Sequence, residues 1–137
     1  MKNRIRATAV VIKDGKVLLI HRKNEKEFYV FPGGGVEEGE TVEQAILREL
    51  MEETSITVNI NKILEHKIYD DGTENYAYLC DYISGEPYLA DNSPEKIEMK
   101  DGIEYYNPVW IDIKDLENLT IWPEEAKRQL ILTAGEI

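Results

Sequence analysis

The chain has 137 residues, of which 42% are hydrophobic and 31% charged, enough for one domain with a sizeable core. A formal net charge of −11 argues against a polyanion such as duplex DNA, which is bound by clustered Lys and Arg. It leaves room for a small anion held through a divalent cation. The one cysteine, Cys80, excludes an internal disulfide and a multi-cysteine zinc site.

Within the apolar run Tyr78-Leu79-Cys80, that cysteine reads as a buried structural thiol. No segment approaches the roughly 18 apolar residues of a membrane span. The basic opening from Met1 to Arg6 leads into an apolar run broken by Lys13, Asp14 and Gly15. It lacks a signal peptide's hydrophobic region and cleavage site, so a cytoplasmic protein is expected. With no repeat, low-complexity tract or Pro/Ser-rich linker, residues 1–137 are expected to form a single domain.

Taken in order, Ile5 to Ile12 and Lys16 to Ile20 are strand candidates. Asp14-Gly15 between them signals a tight hairpin, because both residues tolerate positive φ. Tyr29-Val30-Phe31 is a short apolar piece ending at Pro32-Gly33-Gly34-Gly35. A helix then starts at an N-cap, Thr41, with Gln44 completing a capping box, and runs through Val42, Ala45, Ile46, Leu47, Leu50 and Met51 to about Thr54. Leu47, Leu50 and Met51 lie opposite Val42, Ala45 and Ile46, which predicts a helix packed on two sides.

Val58 to Tyr69 and Tyr76 to Ile83 follow as strands around the turn-like Asp70-Asp71-Gly72-Thr73. Residues Gly85 to Asn107 read as a long polar loop, and Val109 to Ile113 as a closing strand. Pro123 suits the first turn of a helix reaching about Ala134. Strands mixed with two helices predict an α/β chain with a helix-covered sheet.

Three glutamates on the central helix carry the chemistry. At about 100° per residue, Glu49, Glu52 and Glu53 fall within roughly a 100° arc that overlaps Val42, Ala45 and Ile46. Carboxylates crowded there repel one another and lose hydration, and a hard divalent cation such as Mg²⁺ or Mn²⁺ relieves both. A solvated acidic face is the competing interpretation of the helix alone. The loop in front shifts the balance, since Gly33-Gly34-Gly35 lets the backbone approach a bound group closely.

Gly34, five residues, Glu40, seven residues, then Arg48-Glu49-Leu50-Met51-Glu52-Glu53-Thr54-Ser55-Ile56 resembles the box of the Nudix hydrolase family, including its MutT-like members. Every defined position matches except the last glycine, which here is Ser55. The resemblance implies an α/β/α sandwich, with a mixed sheet between helices. It implies hydrolysis of a diphosphate linkage in a nucleoside di/triphosphate-like substrate (a nucleoside diphosphate linked to another moiety), by in-line attack of water on phosphorus, with Mg²⁺ or Mn²⁺ as cofactor. The small domain most resembles members acting on nucleoside triphosphates, including oxidised ones.

By the same resemblance Glu49, Glu52 and Glu53 ligate metal, with the Gly33 carbonyl as a further ligand. Arg48 orients a box carboxylate, and Glu40 does likewise or reaches metal through water. The general base is Glu52, Glu53, or a loop glutamate among Glu95, Glu98 and Glu104, with Glu95 preferred. Arg22 and, more weakly, Lys23 are phosphate contacts, and Gly33 and Gly34 flank the substrate.

Tyr29, Phe31 and Tyr76 are expected in the core rather than against a base. Trp110 is also placed in the core, and Trp122 against the last helix. His21 and His66 lack ligand-like spacing. The expected partner is a small anionic nucleotide-like molecule, with no nucleic-acid polymer and no membrane; a homodimer fits the same reading. The alternative function is an inactive nucleotide-binding or sensing module.

Overall fold

Asp14 and Gly15, with φ of 50° and 76°, turn β1 (Ile5–Lys13) into β2 (Lys16–Lys23), as that dipeptide predicts. The computed structural model describes residues 4–23, 25–87 and 105–134. After β2 come β3 (Glu27–Val30), β4 (Gly33–Gly35), α1 (Val42–Thr54), β5 (Thr57–Ile68), β6 (Glu74–Ser84) and β7 (Tyr105–Asp112). A 3₁₀ segment (Ile113–Asn118), β8 (Ile121–Trp122) and α2 (Glu124–Thr133) complete the order.

One mixed sheet runs β5-β6-β1-β2-β3-β8, with β4 added to β1 and β7 to β2. The pairs β1–β6 and β3–β8 are parallel, and the others are antiparallel. β1 and β2 stay paired only next to their turn, at Ile12–Val17 and Lys13–Lys16. Beyond it they diverge. β1 takes β4 as its neighbour from Arg6 to Thr8, whereas β2 takes β3 from Ile20 to Lys23. The gap between the diverging halves is where a cleft opens.

Two cores lie on opposite faces of the sheet. Ala7, Ala9 and Val11 of β1 point to α1, meeting Ala45, Ile46 and Leu50. Val10, with Leu19, Ala77 and Leu79, points to α2 and its Ala126 and Leu130. This is the expected α/β/α arrangement, and the small β1 alanines let α1 approach the sheet closely. Full burial of side chains such as Ile46 and Leu50 is worth about 1.5–3 kcal/mol each, so the face of α1 that carries them fixes its rotation.

Four expectations need correcting. α1 packs on one side only, because Leu47 and Met51 remain 45% and 49% exposed. The last long strand begins at Tyr105 rather than Val109, since Tyr105 to Pro108 find partners on β2 from Lys23 to Ile20; the loop therefore ends before Asn107. The glycine run is itself a strand, paired with Arg6, Ala7 and Thr8. Pro123 caps α2 from outside, in extended geometry, rather than occupying its first turn.

Candidate active site

α1 starts as its sequence dictates. The Thr41 hydroxyl accepts from the Gln44 N–H at 3.1 Å, and the Gln44 carboxamide accepts from the Thr41 N–H at 2.9 Å. With that start fixed, Glu53 falls in the middle of the buried face, only 6% exposed. A carboxylate so placed loses several kcal/mol of hydration unless something answers it. The Gly33 N–H donates to its Oε1 at 2.8 Å.

Gly33 and Gly34 are required by close approach. A side chain at position 33 would run into the Ala7 carbonyl oxygen, and one at position 34 would come within 2.5 Å of Glu49 Oε1. The glycine strand therefore lets two carboxylates of α1 reach its backbone.

Arg48 gathers the remaining acids. Its Nε and Nη2 donate to the two Glu40 oxygens at 2.8 and 3.0 Å, a bidentate pair. Nη1 donates to Glu49 Oε1 at 2.9 Å, and Nη2 also reaches the Gly35 carbonyl at 3.0 Å. Glu52 and Glu37 stand farther off, at 3.5 and 3.8 Å. These partners, Glu40 first, hold the guanidinium well above its usual pKa. Glu40 is correspondingly held below its usual value by Arg48 and by the Glu37 N–H. One arginine thus ties the loop, the glycine strand and the helix together.

Glu49 and Glu53 face a cleft of about 620 Å³, within the size range of small-molecule sites. Its walls include Arg6, Thr8, Arg22, Phe31, Asn75 and Trp122. Glu52 does not line the cleft, so the structure brings two of the three expected metal ligands together there. Among the described residues no three His, Cys, Asp or Glu side chains form a metal-holding group. Two carboxylates beside open backbone still fit Mg²⁺, which keeps several waters and commonly takes one or two carboxylates together with substrate phosphate.

Arg22 lines the cleft and donates to Tyr106 Oη at 3.0 Å; its guanidinium lies 4.5 Å over the Tyr106 ring. Lys23 does not line the cleft. Glu95, Glu98 and Glu104 lie outside the described residues. Trp122 departs from expectation: it is 54% exposed and stands at the cleft rather than packed against α2. Trp110 does join the α1-side core, edge-on to Tyr82. Phe31 is buried, while Tyr29 stacks on His21 and Tyr76 on His66. Cys80 is fully buried, and burial pushes its thiol up to about 12.

Sequence reasoning missed Arg4, Arg6, Thr8, Asn75 and Tyr106 as cleft residues. The available signal was the alternation Arg4, Arg6, Thr8, which sets polar side chains on the face opposite Ala7 and Ala9.

The NUDIX domain family model matches residues 2–131. The chain belongs to the Nudix family. Among curated Nudix relatives, the ADP-ribose pyrophosphatase of Methanocaldococcus jannaschii is 36% identical over 63% of this chain and 55% of its own length. The 8-oxo-dGTP diphosphatase of Escherichia coli is 38% identical over 54% of this chain and 57% of its own length. The chain spans about half the length of these two. A solved MutT structure, from work on the Aliivibrio salmonicida and Vibrio cholerae proteins, is 26% identical with a TM-score of 0.73, covering 96% of this chain and 98% of that one. Among the described residues no helix of this Nudix chain is long and apolar enough to cross a membrane.

Proposed function

We propose that the chain hydrolyses a diphosphate linkage in a small nucleotide-like substrate, using a divalent metal ion. The observation that carries this reading is the buried Glu53, set one turn from Glu49 on the wall of a cleft that also presents arginines. Glu49 and Glu53, with Glu52 and the Gly33 carbonyl, are the groups that would hold Mg²⁺ or Mn²⁺. Such an ion, when bound, neutralises phosphate charge and acidifies water. Arg48 keeps Glu49 aimed at the glycine strand, and the Gly33 N–H fixes the rotamer of Glu53. Arg22 offers a guanidinium to a phosphate oxygen. Glu52, Glu53 and Glu95 are the candidates for the base that takes the proton from the attacking water.

The retained box carboxylates favour hydrolysis over a binding-only module. The names of the relatives, a pyrophosphatase of ADP-ribose and a diphosphatase of 8-oxo-dGTP, favour a nucleoside diphosphate linked to a further group. The test is phosphate release over a panel of nucleoside triphosphates, ADP-ribose, dinucleotides and dinucleoside polyphosphates, with Mg²⁺, with Mn²⁺ and with chelator. Turnover should need the metal and should fall by at least about a hundredfold in Glu53→Gln, as loss of a charged group acting on the reacting phosphate implies. Undiminished turnover in chelator sinks the proposal.

A further inference from the structure

The β1 side of the cleft carries charge that this chemistry leaves unused. Arg4 and Arg6 are two residues apart on one face, and Asn75 is the register partner of Arg6 on β6; all three line the cleft. Among the described residues neither guanidinium donates a hydrogen bond or closes an ion pair. Arg6 is half-buried, and burial, followed by the like charge of Arg4, holds its pKa below the usual value against the pull of Glu49 and Glu53. It nevertheless stays protonated.

The donors of Arg4 and Arg6 still reach solvent, so an anion entering the cleft can take them up as charge-assisted hydrogen bonds without breaking a bond inside the protein. Asn75 is only 3% exposed, and its Oδ1 is occupied by the Thr8 hydroxyl at 2.7 Å. The amide's two N–H donors have no partner among the described residues.

The charge of the cleft agrees with that of an anion site. Arg4, Arg6 and Arg22 face Glu49, Glu53 and Asp71 across it, an even balance in a chain whose net charge is −11. A divalent ion at Glu49 and Glu53 would make the cleft positive. A phosphate inside a diphosphate linkage carries one charge and two free oxygens. A terminal phosphoryl group carries up to two charges and three free oxygens, which two guanidinium forks and an amide suit better.

We infer that Arg4, Arg6 and the Asn75 amide form a subsite for a terminal phosphoryl group of the substrate. This rests on the hydrolase reading, and it selects substrates that end in phosphate over those whose diphosphate is capped at both ends.

Calorimetric titration with inorganic pyrophosphate in chelator tests the subsite without turnover. Arg6→Gln and Arg4→Gln should each weaken binding by about tenfold or more, the scale of one charge-assisted pair. Arg128→Gln, on the exposed face of α2, should not. Circular dichroism checks the fold, and Arg4, the more exposed of the two, supplies the variant least prone to unfold. Steady-state kinetics then separate the sources of the phosphoryl group. In Arg6→Gln the KM for nucleoside triphosphates should rise while that for ADP-ribose stays put.

Unchanged pyrophosphate binding in both variants overturns the subsite. Equal rises in both KM values overturn its assignment to a terminal group. Pyrophosphate binding lost in the variants while no nucleotide is turned over by the native protein keeps the anion site and overturns the hydrolase reading instead.

Discussion

Ser55 stands where the family box has glycine, and it holds the left-handed geometry that glycine favours, with φ 60° and ψ 23°. Its N–H still closes the helix on the Met51 carbonyl at 3.2 Å, so the turn is kept and the backbone carries the strain. A non-glycine residue there costs about 1 kcal/mol, partly offset because glycine also loosens the unfolded chain. Ser55→Gly should therefore raise the denaturant midpoint by up to about 1 kcal/mol in stability. Turnover should stay the same, because Glu49 and Glu53 precede the turn. A less stable Ser55→Gly protein would mean that contacts of the serine side chain outweigh the strain. Position 55 was legible because the box spacing names it, whereas Trp122 was misplaced: nothing local to Trp122-Pro123 reveals that the ring stands at the cleft.

On the scale of one element, α1 depends on Arg48 as much as on its own cap. The depressed pKa of Glu40 means that the folded protein holds fewer protons at this site than the unfolded chain does. The stabilisation is then fully present above the ordinary value of 4.5 and is lost as pH falls through the lower folded value. Glu40→Gln should melt below the native protein at neutral pH, and the two melting curves should converge in acid once pH has fallen below the depressed folded value. A gap that stays constant with pH would disconnect Glu40 from Arg48.

The start of α1 was readable because a capping box is local, complete within Thr41 to Gln44. The strand character of Gly33 to Gly35 and the early start of β7 were not readable. Both are imposed by distant partners, Arg6 to Thr8 in one case and Ile20 to Lys23 in the other. The acid cluster was legible as a helical arc, but which two of its carboxylates, Glu49 and Glu53, line the cleft depends on how α1 is set against the glycine strand.

For the whole molecule, the cleft exists because β1 and β2 part company after their hairpin, leaving α1 and the glycine strand on one wall and β2 with β3 on the other. An ion held by Glu49, Glu53 and the Gly33 carbonyl would bridge the helix to the sheet, so metal binding should stabilise the entire fold. At a metal concentration a hundred times its Kd the gain is about 2.7 kcal/mol. Melting temperature should climb with Mn²⁺ and not with sodium at matched ionic strength, and Glu49→Gln should blunt the climb. An identical response in that variant would move the ion elsewhere.

Among the described residues the sheet also ends in an outer strand with no further neighbour. β5 ends the strand order, and a twelve-residue outer strand is the sort of template on which other chains add and aggregate. Its pairing with β6 slips three times, between Thr57 and Val58, between Ile60 and Lys62, and between Ile63 and Glu65. Each slip bends the strand and breaks the even spacing of its outward N–H and C=O groups. Lys62, Glu65 and Lys67 add charge along the same strand. A second copy of the strand therefore meets no straight ladder to continue along β5.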